Sequence, residues 1–193
     1  RVDYGNDTPT AVAKGPLSSA RYAIAATGNT SYGYFGGGAP GPVTTVDRID
    51  YSNDTPTTPT KGPLSLARTR MGASGNKDYG WFGGGGPSGP VSTVDRITYA
   101  NDTATASPKG PLSQAKRALG ATGNASYGYF GGGGIPGPNV FSTVDRITYA
   151  NDTAIASPKG PLSAARYYLG ATSSRANALP IIGSTVSEFT NTI

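Results

Sequence analysis

Two sets of carboxylates return at fixed intervals along the chain. Asp47, Asp95 and Asp145 each sit in a Val-Asp-Arg-Ile segment, and Asp54, Asp102 and Asp152 each sit in a following Asn-Asp-Thr triplet. One carboxylate per unit around a shared axis would make a ring of hard oxygen ligands, and calcium wants about six to eight of them. The neighbouring Arg48, Arg96 and Arg146 offer simpler partners, so a structural ion pair or a bond to backbone is the plainer reading. A second recurring charge, at Arg21, Arg68, Lys116 and Arg166, is expected to brace a neighbouring unit through its backbone carbonyls.

Other motifs have a chemical and a plain reading. The run Gly83-Gly84-Gly85-Gly86 suggests a phosphate cradle, but the Gly-Lys-Ser/Thr ending and following helix of such a loop are missing. Close approach of neighbouring backbones at a strand end accounts for the glycines. Asn-Asp-Thr, Asn29-Thr30-Ser31 and Asn124-Ala125-Ser126 fit the N-glycosylation acceptor pattern. An Asx turn between strands is the plainer reading of them.

The chain has neither histidine nor cysteine. That removes the usual general base near neutral pH, the commonest metal ligands, thiolate nucleophiles and disulfides. No carboxylate pair is placed distinctively enough to suggest a glycosidase. We therefore expect no enzymatic activity, no catalytic residue, no cofactor and no bound metal.

Composition points to many turns. There are 29 Gly and 16 Pro in 193 residues, 14% charged and 36% hydrophobic, which suits repeated units that each bury a modest face. The 12 Tyr and 5 Phe stand at fixed repeat positions, which argues against disorder. The net charge of +5 is spread evenly rather than clustered, so no nucleic-acid partner is expected. No window approaches the ~18 apolar residues of a membrane span. The chain begins at Arg1 without a signal peptide, and reads as a fragment or processed product belonging to a larger chain or oligomer.

The repeat supplies the elements that must position these residues. Val-Asp-Arg-Ile recurs at Val46, Val94 and Val144, Lys-Gly-Pro-Leu-Ser at Lys14, Lys61, Lys109 and Lys159, and Tyr-Gly-(Tyr/Trp)-Phe-Gly at Tyr32, Tyr79 and Tyr127, giving units of 47–50 residues. Four such pieces separated by turn residues predict a four-stranded antiparallel sheet per unit. Strand A spans 20–27, ending at a Gly-Asn pair suited to positive φ. Strand B is Tyr-Gly-Tyr-Phe-Gly, strand C runs from Thr45 to Tyr51, and a looser strand D ends near Lys-Gly-Pro-Leu. Neither face of strand B is polar, which predicts sheets stacked face to face. The chain divides into 1–19 (strands C and D), full repeats 20–66, 67–114 and 115–164, and an atypical last repeat 165–193 with strands A to C, the whole forming one repeat domain.

The order of landmarks resembles the kelch repeat. Tyr34-Phe35-Gly36-Gly37, Val46 through Tyr51, and Pro63-Leu64 through Arg68 carry the likeness; the Trp that kelch units place on the outer strand is absent, and Trp81 lies on strand B instead. The resemblance implies an all-β, kelch-like propeller, or a propeller segment, of about four repeats. The wording of the blocks is also similar to arrays in large virion proteins of tailed phages, especially those infecting marine cyanobacteria. That likeness implies a structural or adhesive module of a tail, fibre or cell surface. Its partners would be other copies, other surface proteins, or a cell-surface glycan or receptor. The alternative is an intracellular kelch-type adaptor that docks a peptide.

The copies differ most in the loop between strands B and C, where recognition on a rigid scaffold is usually carried. Pro40, Ser88, Pro90, Ile135, Asn139 and Phe141 are the candidate contact residues.

Overall fold

The computed structural model describes residues 1–2, 5–6 and 8–172. They form three four-stranded antiparallel sheets, each a simple meander. The first contains β1 (Ala25–Gly28), β2 (Tyr32–Gly36), β3 (Val46–Asp50) and β4 (Thr60–Lys61). The second contains β5 (Gly72–Gly75), β6 (Tyr79–Gly83), β7 (Val94–Thr98) and β8 (Ser107–Lys109). The third contains β9 (Gly120–Gly123), β10 (Tyr127–Gly131), β11 (Val144–Thr148) and β12 (Ser157–Lys159). Two three-residue 3-10 turns, Tyr99–Asn101 and Tyr149–Asn151, are the only helical pieces among the described residues. The apolar strand expected at 178–183 and the strand-C match at 184–190 lie outside the described residues.

Strand A is shorter than its sequence suggests, and one backbone angle explains the difference. Ala23 has φ +54°, which no extended strand can pass through. β1 therefore starts at Ala25, and Tyr22 instead bridges to Ala39 in the B–C loop. The hairpin after β1 also departs from expectation, because no residue of the Gly28-Asn29 pair takes positive φ. Asn29 Oδ1 accepts the N–H groups of Ser31 and Tyr32, both at 2.9 Å, so the side chain closes the turn. Asn76 and Asn124 do the same in the next two sheets.

Stacking of the sheets hides both faces of strand B. The Phe82 ring lies over Gly36 and the Phe130 ring over Gly83; a Cβ at Gly36 would meet the Phe82 ring at 2.7 Å, and one at Gly83 the Phe130 ring at 2.8 Å. Glycine there is the recess that receives the next sheet's ring. At the same two boundaries, and on the same strand face as the recessing glycine, Tyr34 stacks on Tyr99 with centroids 4.8 Å apart, and Trp81 on Tyr149 at 3.9 Å. These rings are buried together with Val46, Leu64, Val94 and Leu112. Ordering Tyr, Trp and Phe in this way removes large apolar areas from water at each sheet boundary.

The buried tyrosines each find a polar partner. Tyr99 Oη lies 3.1 Å from Thr27 Oγ1, and Tyr149 Oη lies 2.7 Å from Ser74 Oγ. Burial pushes the Tyr149 hydroxyl up to about 12. An unfolded tyrosine ionises near 10, so this contribution is complete below pH 10 and is lost as pH climbs through 12. Two pH units correspond to about 3 kcal/mol. We expect stability to fall across that window and the fall to be shallower in Tyr149→Phe, as measured by urea unfolding at stepped pH. A tyrosinate absorbance in which every tyrosine titrates near 10 would contradict it.

Candidate functional site

The recurring charges make two kinds of internal contact. In each sheet a cation from the segment before strand A reaches the strand-C aspartate: Arg21 to Asp47, Arg68 to Asp95 at 2.7 Å and Lys116 to Asp145 at 3.0 Å. The adjacent Arg48 and Arg96 are not the partners of these aspartates, contrary to the sequence reading. Strand geometry is the reason, since neighbouring residues point to opposite faces. Arg68 also donates to the carbonyls of Gly84 and Thr93, both at 2.8 Å, and of Phe82 at 3.4 Å. All three belong to Arg68's own sheet. The expected bracing through carbonyls is present, but it ties strands B and C of one unit rather than two units together. Burial pulls the Arg68 and Lys116 groups below their ordinary values, against the opposing pull of Asp95 and Asp145.

The second set of aspartates joins one sheet to the next. Asp102 receives Arg48 at 2.7 Å, Lys61 at 3.3 Å and the Tyr34 hydroxyl at 3.0 Å, all from the preceding sheet. Asp152 repeats the clasp with Arg96, Lys109 and the Trp81 indole N–H. Asp54 takes Arg1 and Lys14 in the same way, and the bond from Lys14 holds its carboxyl below the usual range. Among the described residues no three His, Cys, Asp or Glu groups are placed to hold a metal ion.

The third sheet carries the same clasp and recess on its outer face. Arg146 lies over the Tyr127 ring at 4.5 Å, and among the described residues neither Arg146 nor Lys159 has a carboxylate partner. Beside them is a groove of about 260 Å³ lined by Tyr129, Gly131, Val144, Leu162 and Leu169. It occupies the place that Phe82 and Phe130 fill at the other two boundaries.

The B–C loops collect at one end of the stack. Each bridges to one residue a little before strand A of its own unit, Tyr22 to Ala39, Thr69 to Gly86 and Arg117 to Gly134. The following residue stands at positive φ in every unit: Ala23 at +54°, Arg70 at +58°, Ala118 at +57° and Tyr168 at +55°. A backbone relay links these positions, with N–H of Arg70 donating to Ala23, Ala118 to Arg70 and Tyr168 to Ala118 at 2.9, 2.8 and 2.7 Å. The left-handed region costs a non-glycine residue about 1–2 kcal/mol, offset by glycine's greater freedom in the unfolded chain. Ala118→Gly should therefore stabilise by about 0.5 kcal/mol, read as a raised denaturant midpoint. A lowered midpoint would refute this account of the relay.

Pro40, Ser88, Ile135 and Asn139 are exposed on these loops, whereas Pro90 and Phe141 are half-buried. Phe141 is held by backbone bonds to Gly133 and Arg166. Of the six, Ile135 and Asn139 share a cavity of about 140 Å³, completed by Arg117, Tyr167 and Tyr168. Pro40, Ser88 and Pro90 stand on the other two loops, and Phe141 shares the loop but does not line the cavity. Sequence reasoning overlooked Tyr22, Arg70, Arg117, Tyr167 and Tyr168. The signal was present: the two residues after the recurring basic position read Tyr-Ala, Thr-Arg, Arg-Ala and Tyr-Tyr, between flanks that barely change. No protein-family model matches the chain, and no curated protein matches it.

Proposed function

We propose that the chain is a rigid, non-catalytic segment of a kelch-like β-propeller, serving as a structural and adhesive module of a virion or cell-surface assembly. One observation carries this reading: the recurring carboxylates are spent on holding strands and sheets together, while the differences between copies gather on exposed loops at one end. A scaffold with invariant joints and variable tips suits contact with a surface better than turnover of a substrate.

Among the described residues Arg146 and Lys159 have no carboxylate partner beside the Gly131 groove, which supports packing of a unit of the same design against this sheet. In this reading the sheets are blades, and partners are other copies, other surface proteins or a surface glycan.

Two measurements test it. Electron-microscopic class averages of the purified chain should show sheets fanned in an arc or ring; a straight parallel stack would refute the propeller. Retention on an array of envelope glycans and surface proteins is expected, and retention on an intracellular peptide library alone would favour the adaptor reading.

A further inference from the structure

We propose that the cavity between the 135–140 loop and Tyr167–Tyr168 binds a carboxylated sugar ring, with Arg117 taking the carboxylate and Tyr168 the apolar face of the pyranose. The proposal rests on the adhesive reading above and names the ligand class and the site.

Charge is the first argument. Among the described residues every aspartate has a partner: six are clasped as above, Asp78 by Lys77 and Asp50 by Ser52. Arg117 has no carboxylate partner among the described residues, and it lines a concave site. An arginine there presents a planar fork that matches a carboxylate with two parallel bonds.

Exposed aromatic surface is the second. This fold buries Tyr34, Trp81, Tyr99 and Tyr149, yet Tyr167 is 53% and Tyr168 68% exposed, with rings 5.1 Å apart. Rigid rings with a polar tip give contact area with little rotamer entropy to lose, and they suit a ligand having one C–H face and many hydroxyls. The remaining lining is mostly apolar, from Ile135, Pro136 and Val140, with Asn139 adding a polar side chain; both backbone groups of Gly134 are taken up by Arg117. A volume of about 140 Å³ is well below drug-sized pockets of roughly 300 Å³ and above, so it fits one terminal sugar residue.

Backbone position is the third. Tyr168 holds φ +55°, which Ala23, Arg70 and Ala118 share at the same point of the other units, so the backbone relay fixes where its ring stands, at a strain that glycine would relieve.

The strain supplies a discriminating experiment. Saturation-transfer NMR and calorimetry are run with sialyllactose and with neutral lactose. The chain is expected to bind sialyllactose and to bind lactose at least about tenfold more weakly, a difference near 1.4 kcal/mol. Arg117→Gln should remove that preference. Tyr168→Gly should weaken sialyllactose about tenfold while raising the melting temperature, a pairing of effects that a purely structural role does not produce. Equal affinity for the two sugars, affinity unchanged in either variant, or binding only to a phosphorylated sugar would overturn the proposal. If sialyllactose fails but the chain is still retained on the envelope array, this site assignment falls and the adhesive reading stands. Failure on both removes the adhesive reading as well.

Discussion

Gly110→Ala should destabilise the chain by about 3 kcal/mol or more, while Gly160→Ala, at the same place in the next copy of the motif, should change stability by less than about 0.5 kcal/mol. Both glycines belong to Lys-Gly-Pro-Leu-Ser. Gly110 donates its N–H to the Asp152 carbonyl at 2.8 Å, and a Cβ there would lie 1.9 Å from the Ala154 carbonyl oxygen. Gly62 meets Ala104 at the same 1.9 Å and Gly15 meets Pro56 at 1.8 Å. Every close atom is backbone, so no rotamer change can relieve the clash, and the sheets would have to part. At Gly160 a Cβ meets no described residue within 4 Å. Denaturant midpoints of the two variants decide it. Similar small effects would mean that the sheets do not approach as closely as described.

Asp95→Asn should lower stability by about 3–5 kcal/mol, because it leaves Arg68 charged and fully buried without a counter-ion. It also disturbs the bonds that Ser65 makes to the carboxylate from its N–H and Oγ at 3.0 and 2.6 Å. Arg68→Lys should cost far less, about 1 kcal/mol, since the third sheet already uses lysine at this point. There Lys116 reaches Asp145, the Phe130 carbonyl at 3.0 Å and the Thr143 carbonyl at 3.3 Å. Urea unfolding of the two variants provides the comparison. If Asp95→Asn were as mild as Arg68→Lys, the carboxylate would not be the element holding the guanidinium in place.

Much of this architecture was readable in the letters. Four pieces per unit follow from the recurring landmarks and the turn residues between them, and the face-to-face stacking of strand B and the role of its glycines follow from Tyr-Gly-Tyr-Phe-Gly lacking a polar face. Pairing of charges was harder. Asp47 and Arg48 are neighbours in sequence, but a strand sends them to opposite sides, so Asp47 meets Arg21 and Arg48 meets Asp102. Partners so far apart in sequence carry no local signature. The turn at Asn29 misled for a related reason, since asparagine can close a hairpin with its side chain or with positive φ, and only the coordinates separate the two. For the candidate site, loop variability located Ile135 and Asn139. Tyr167 and Tyr168 escaped notice because the aromatics that recur in strand B and after strand C, such as Tyr34, Trp81, Tyr99 and Tyr149, are core.

The clasp that each aspartate makes with a preceding Arg and Lys has an evolutionary corollary. Every contact of this type crosses a single boundary and uses the same three residue types, so a duplicated stretch of about fifty residues arrives with both halves of its fastenings already compatible. Slippage during replication could lengthen or shorten such an array by whole units without new chemistry being invented, leaving selection free to act on the tips alone.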